Sequence, residues 1–197
     1  ELLARPVGGA WEPRQLSTAM WALARLRLAA NSGAPAGYLQ LFDALVAAAM
    51  PVAVARRFRP QEMANSVWAL ARLDHRPQRA PALLTALADG AAAQAREFTA
   101  QGLSNTVWGM ATLGFVHAGL MTAVAAVVRH KMAEFNTQEV SNTLWAFAKL
   151  EPRLRGSTAE RAPYQVLQAV NAVLVQLLDP KPRPDGGLTE QHLANLA

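Results

Sequence analysis

The polar positions of this chain fall into narrow arcs on otherwise apolar helical wheels. Residues 61–73 read QEMANSVWALARL. At about 100° per residue, Met63, Val67, Leu70 and Ala71 make one apolar stripe, widened by Ala64, Trp68 and Leu73. Only Gln61, Glu62, Asn65, Ser66, Ala69 and Arg72 are left opposite. A lone surface helix carries a broader polar face, so this helix is expected to be packed on several sides. The same text returns as QGLSNTVWGMATL at 101–113 and QEVSNTLWAFAKL at 138–150, and more loosely as RQLSTAMWALARL at 14–26. QHLANLA at 191–197 begins another copy. Trp21, Trp68, Trp108 and Trp145 therefore recur at intervals of roughly 37 to 47 residues, the size of a helical hairpin that stacks into a solenoid.

Each copy starts like a helix. Thr99, Asn136 and Thr189 follow a hydrophobic residue and can accept hydrogen bonds from first-turn amides. Asn136 with Glu139 fits a capping box, and Pro13 and Pro60 fit a first helical position. These first helices, A, alternate with Ala/Leu/Val-rich partners, B, predicted over 35–50, 81–96, 117–132 and 163–178. Pro51 is expected to end or kink the first partner. Insertions fall in Pro/Gly-rich connections: NSGAPAG at 31–37, and PRLRGSTAERAP and PKPRPDGG after Trp145. The predicted architecture is all-α: an α-solenoid of about four hairpins plus the start of another. It forms one array over 1–197, with repeats at 12–58, 59–98, 99–135, 136–188 and 189–197. Both ends cut across the repeat, so a piece of a longer protein is expected.

Hydrophobic residues make up 52% of the chain, much of it alanine, the best helix former. The most apolar run, 41–55, contains Asp43 and Pro51 and is too short to span a bilayer. There is no cysteine, which excludes disulfides and thiolate metal sites. A net charge of +5 and a pI near 10.4 favour a polyanionic partner. No catalytic constellation is visible. His75, His117, His130 and His192 lack metal-ligand spacing, and neither Gly8-Gly9 nor Gly186-Gly187 is a phosphate loop. No enzyme activity, cofactor or small-molecule substrate is expected.

Stacking the copies turns the polar arc into columns. One reads Thr18, Asn65, Asn105, Asn142 and Asn195: mostly amides, which both donate and accept. A second, Ala22, Ala69, Gly109 and Ala146, is small, leaving room for a ligand to approach. A third, Arg25, Arg72, Thr112 and Lys149, is mostly cationic. A variable one holds Gln15, Glu62, Gly102, Glu139 and His192. Base edges need donors and acceptors, and phosphates need cations, so the arc suits single-stranded RNA. The amide column could equally be a structural ladder to adjacent backbone, and the cations also sit where the helix dipole favours them. The regular tryptophans point to packing between repeats, with base stacking as the alternative. Outside helix A, Arg56, Arg57, Arg59, Arg129, Lys131, Arg153, Arg155, Lys181 and Arg183 are candidate phosphate contacts or plain surface charge.

The repeated hydrophobic-S/A-N-T/S-hydrophobic-Trp-Ala-hydrophobic-Ala-Lys/Arg-Leu resembles the octotricopeptide repeat family of green algae, related to heptatricopeptide and pentatricopeptide-type helical repeats. The first copy departs from it with Arg14 and Thr18, the third with Gly109 and Thr112. The resemblance implies an α-solenoid that binds RNA in a mitochondrion or chloroplast through a concave face lined by A helices. It would act on transcripts or as a ribosomal subunit on ribosomal RNA, beside ribosomal or other organellar proteins. Carried onto this sequence, the RNA-binding residues would be Thr18, Arg25, Glu62, Asn65, Arg72, Asn105, Thr112, Glu139, Asn142, Lys149 and Asn195. The alternative from another class is a protein–protein scaffold.

Overall fold

The computed structural model describes residues 11–29, 37–73 and 80–178. Eight α-helices run through them: α1 (Pro13–Ala29), α2 (Tyr38–Val54), α3 (Pro60–Leu73), α4 (Ala80–Ala93), α5 (Ala100–Leu113), α6 (Ala118–Lys131), α7 (Thr137–Leu154) and α8 (Ala162–Leu178). The odd-numbered helices pack side by side, α1 on α3, α3 on α5 and α5 on α7. The even-numbered ones form a second layer in the same order. Each odd helix also meets the even helix that follows it. The result is a stack of four antiparallel hairpins, the α-solenoid the repeats imply. Among the described residues no helix is long and apolar enough to cross a membrane.

The caps explain where the A helices begin. Pro13 and Pro60 are first residues of α1 and α3. Thr99 accepts from the Gly102 N–H at 3.1 Å. Asn136 accepts from the Glu139 N–H at 2.9 Å while Glu139 accepts from the Asn136 N–H at 2.9 Å, closing the expected box. At α6 the cap is an imidazole: His117 Nδ1 accepts from the Leu120 N–H, and its Nε2 faces Asp89 of α4 at 3.1 Å.

A continuous core runs between the layers. Phe42, Phe98, Phe147, Leu16, Met20 and Met63 are fully enclosed within it. Tyr38 ties the first hairpin by donating its hydroxyl to the Leu23 carbonyl. Ser104 on α5 donates to the Glu139 carbonyl of α7, a bond between successive repeats.

Three expectations need correction. Pro51 does not end α2, because the helix continues to Val54. A proline one turn from a helix end removes a single hydrogen bond, and buried Val52 and Ala53 hold the last turn in the core. For the same reason Pro152 lies inside α7, which extends to the fully buried Leu154, so 152–154 are helix and not connection. The small column does not leave space for a ligand. Ala69, Gly109 and Ala146 are buried, and their size lets neighbouring A helices approach each other. The partner helices also shift by a few residues, and the ends of the second and third become separate 3-10 turns, Ala95–Glu97 and Met132–Glu134.

Candidate nucleic-acid interface

Positions i, i+4, i+7 and i+11 of an α-helix lie on one line along its surface. On α3 they are Gln61, Asn65, Trp68 and Arg72. On α5 they are Gln101, Asn105, Trp108 and Thr112, and on α7 Gln138, Asn142, Trp145 and Lys149. The first helix offers Arg14, Thr18, Trp21 and Arg25. Every one of these sixteen side chains is exposed or half-buried, although α3 and α5 bury most of their remaining residues. Four parallel stripes, each roughly 16 Å long at 1.5 Å per residue, thus share the open side of the A layer.

On α3 and α7 the first two positions form amide pairs. Gln61 Nε2 donates to Asn65 Oδ1 at 2.9 Å, and Gln138 Nε2 donates to Asn142 Oδ1 at 2.9 Å. Each pair leaves one amide NH2 and one carbonyl outside the bond between them, an inventory unchanged if both amides are flipped. The bonds to helix backbone are made by hydroxyls on the neighbouring positions instead: Ser66 to the Glu62 carbonyl, and Thr106 and Thr143 to the Gly102 and Glu139 carbonyls. Asn105 is half-buried and Thr18 exposed on the same line.

The last two positions pair a ring with a cation. Arg25 lies over Trp21 at 5.6 Å and Lys149 over Trp145 at 4.6 Å. Arg72 lies over Trp68 at 5.6 Å and reaches Trp108 of the next repeat at 6.0 Å. Rings Trp21 and Trp68 meet at 6.3 Å, tilted by 35°. A cation held on a ring face keeps N–H groups for a phosphate. Thr112 breaks the cationic column, and its hydroxyl oxygen is buried without a partner.

The variable column proves to be the capping column. Gln15 accepts from the Glu12 N–H, Glu62 from the Arg59 N–H and Glu139 from the Asn136 N–H. These side chains finish their own helices.

The outlying cations divide in two. Lys131 donates to the Arg96 and Phe98 carbonyls at 3.0 and 3.1 Å, and Arg153 to the Gly114 carbonyl at 2.6 Å. Arg57 pairs with Glu12 at 3.1 Å. Arg155 pairs with Glu151 at 2.9 Å, a hydrogen bond and charge that raise its pKa above the ordinary arginine value. Arg56, Arg59 and Arg129 are exposed. Lys181, Arg183 and Asn195 lie outside the described residues.

Two shallow hollows open elsewhere. The larger, about 550 Å3, is walled by Glu160, Arg161, Tyr164, Gln165 and Gln168 and includes no stripe residue. The smaller, about 210 Å3, lies where α3 and α5 begin and touches a stripe only at Gln61.

The sequence columns did not include the glutamine row, while the tryptophans do meet neighbouring repeats, as packing between repeats implies. The available signal was the spacing of glutamine and tryptophan from the asparagine and the cation, which puts all four residue types on one line.

The RNA-editing substrate-binding complex 6 protein family, RESC6, has a model that matches residues 11–155. The chain belongs to the RESC6 family. The matched segment starts just before α1, ends just after α7 and therefore contains all four stripes. RESC6 supports an RNA-associated helical protein, whereas the octotricopeptide family is not the one shown. No curated protein matches the chain.

Proposed function

We propose that this protein binds RNA, holding a single strand across the open side of its A layer within an organellar RNA-processing assembly. The observation that carries it is the alignment of four stripes, with amide pairs at one end of the second and fourth and Arg25, Arg72 and Lys149 at the other end of the first, second and fourth. Amides match base edges, cations match phosphates, and the net charge of +5 attracts a polyanion. RESC6 membership supports this direction, since the family is named for a complex that binds RNA-editing substrates. The strand is an organellar transcript or ribosomal RNA, in a mitochondrial matrix or chloroplast stroma, as the octotricopeptide-like repeats suggest. Binding, not catalysis, is the activity, and it needs no cofactor.

Filter binding with the Arg25→Ala, Arg72→Ala, Lys149→Ala triple variant tests the proposal. Affinity for single-stranded RNA should fall at least tenfold at physiological salt, with the helical circular dichroism unchanged. Unaltered affinity in a folded variant would remove the A layer as the binding face.

A scaffold role has one observation of its own. Tyr164 and Leu167 on α8 are 61% and 56% exposed, an apolar pair suited to a protein neighbour. Pull-down of a partner that survives nuclease treatment and is lost in Leu167→Asp would support that role beside RNA binding.

A further inference from the structure

We infer that the four stripe tryptophans are base-stacking sites, so that the nucleobases of a single strand lie on Trp21, Trp68, Trp108 and Trp145. The inference rests on the proposal that the A layer takes RNA and adds which part of the nucleotide each row meets. Phe42, Phe98 and Phe147 are fully buried aromatics of this core. The stripe rings keep an open face: Trp68 and Trp108, each with an A helix on both sides, are half-buried, and Trp21 and Trp145, on the first and last described A helices, are 40% and 44% exposed. Exposing indole surface forgoes hydrophobic stabilisation, and here it recurs at one position in every hairpin.

The surroundings of the rings fit nucleotides better than another apolar surface. Three of the four stripes follow the ring with a cation held 4.6 to 5.6 Å from it. Arg72 also contacts the Trp108 ring, so it sits between two successive tryptophans. A guanidinium is flat and stacks on an indole as a base does. A base entering that position would stack on the same rings and leave the guanidinium to pair with the phosphate beside it. On the other side of Trp68 and Trp145 lie the Gln61–Asn65 and Gln138–Asn142 amide pairs, one to two turns from the ring. Rings that accept any base, flanked by cations that accept any phosphate, make a sequence-tolerant platform.

The test compares a single-stranded oligouridylate with an abasic oligoribonucleotide of the same length, which keeps the phosphates and lacks the bases. Oligouridylate should bind more tightly and quench tryptophan fluorescence, and the abasic strand should bind weakly without quenching. Trp21→Leu and Trp145→Leu, at the two most exposed rings, should each weaken oligouridylate binding about tenfold and leave abasic binding unchanged. Trp145→Phe, which keeps a stacking face, should recover part of that loss. Equal binding of the two strands, without quenching, would overturn the stacking inference while leaving RNA binding in place. If neither strand bound, both the inference and the RNA proposal would fall.

Discussion

Gly109 of α5 lies directly against the backbone of Val67 in α3: a Cβ placed on it would stand 2.7 Å from Val67 Cγ1 and 3.2 Å from the Val67 carbonyl oxygen. Two A helices meet here at a distance that only a glycine permits. Replacing a mid-helix glycine by alanine ordinarily gains about 1 kcal/mol. Overpacking against a neighbouring backbone costs about 1–3 kcal/mol and should outweigh it. Gly109→Ala is expected to lower the urea midpoint. Gly90 is the control, because a Cβ there would meet only the flexible Met63 sulfur at 3.0 Å. Gly90→Ala should be neutral or stabilising, and a lower midpoint than that of Gly109→Ala would refute the distinction.

Arg56 ends α2 with φ 53°, in the left-handed region. Its N–H bonds to the Ala53 carbonyl and that of Arg57 to the Val52 carbonyl, which is the Schellman pattern. The same pattern closes α5 with Gly114 at φ 65°. An arginine in this conformation is strained by about 1 kcal/mol relative to glycine. Arg56→Gly should therefore raise stability by about that amount in thermal or urea unfolding. A loss of stability would contradict the account.

The fold was largely legible because each copy states its own helix start. Asn136 with Glu139, Thr99 and Pro60 declare beginnings that the structure keeps. Helix ends were less legible. Pro51 and Pro152 read as breaks because a sequence does not show that Val52 and Leu154 are anchored in the core. The columns were visible as columns, but their uses were not all assigned correctly. Ala69, Gly109 and Ala146 look alike whether they face a ligand or a neighbouring helix, and only packing decides. The tryptophans read as packing residues with stacking as the alternative, because a large aromatic beside a polar arc suits both uses.

The capping box at α7 offers a local check. Asn136→Ala removes the acceptor for the Glu139 N–H and should cost about 1 kcal/mol. Asn136→Asp or Asn136→Ser, which restore an acceptor, should recover most of it. Equal stability of all four proteins would mean that the cap contributes nothing.

The cations sort into those that fasten neighbouring segments and those proposed to meet phosphate. Lys131 and Arg153 hold backbone carbonyls of neighbouring segments, so Lys131→Ala and Arg153→Ala should lower stability by about 1 kcal/mol each. They should not change the salt dependence of RNA affinity. Arg72→Ala should reduce the slope of log affinity against log salt by about 0.7, the value of one single-strand phosphate contact. A reduced slope for Lys131→Ala with an unchanged slope for Arg72→Ala would reverse the assignment.

Photocrosslinking to 4-thiouridine-containing single-stranded RNA, with the attachment sites mapped by mass spectrometry, tests the central claim most directly. The account predicts crosslinks within 14–25, 61–72, 101–112 and 138–149, one group on each A helix. Crosslinks confined to α2, α4, α6 and α8, with the A helices unmarked, would contradict it.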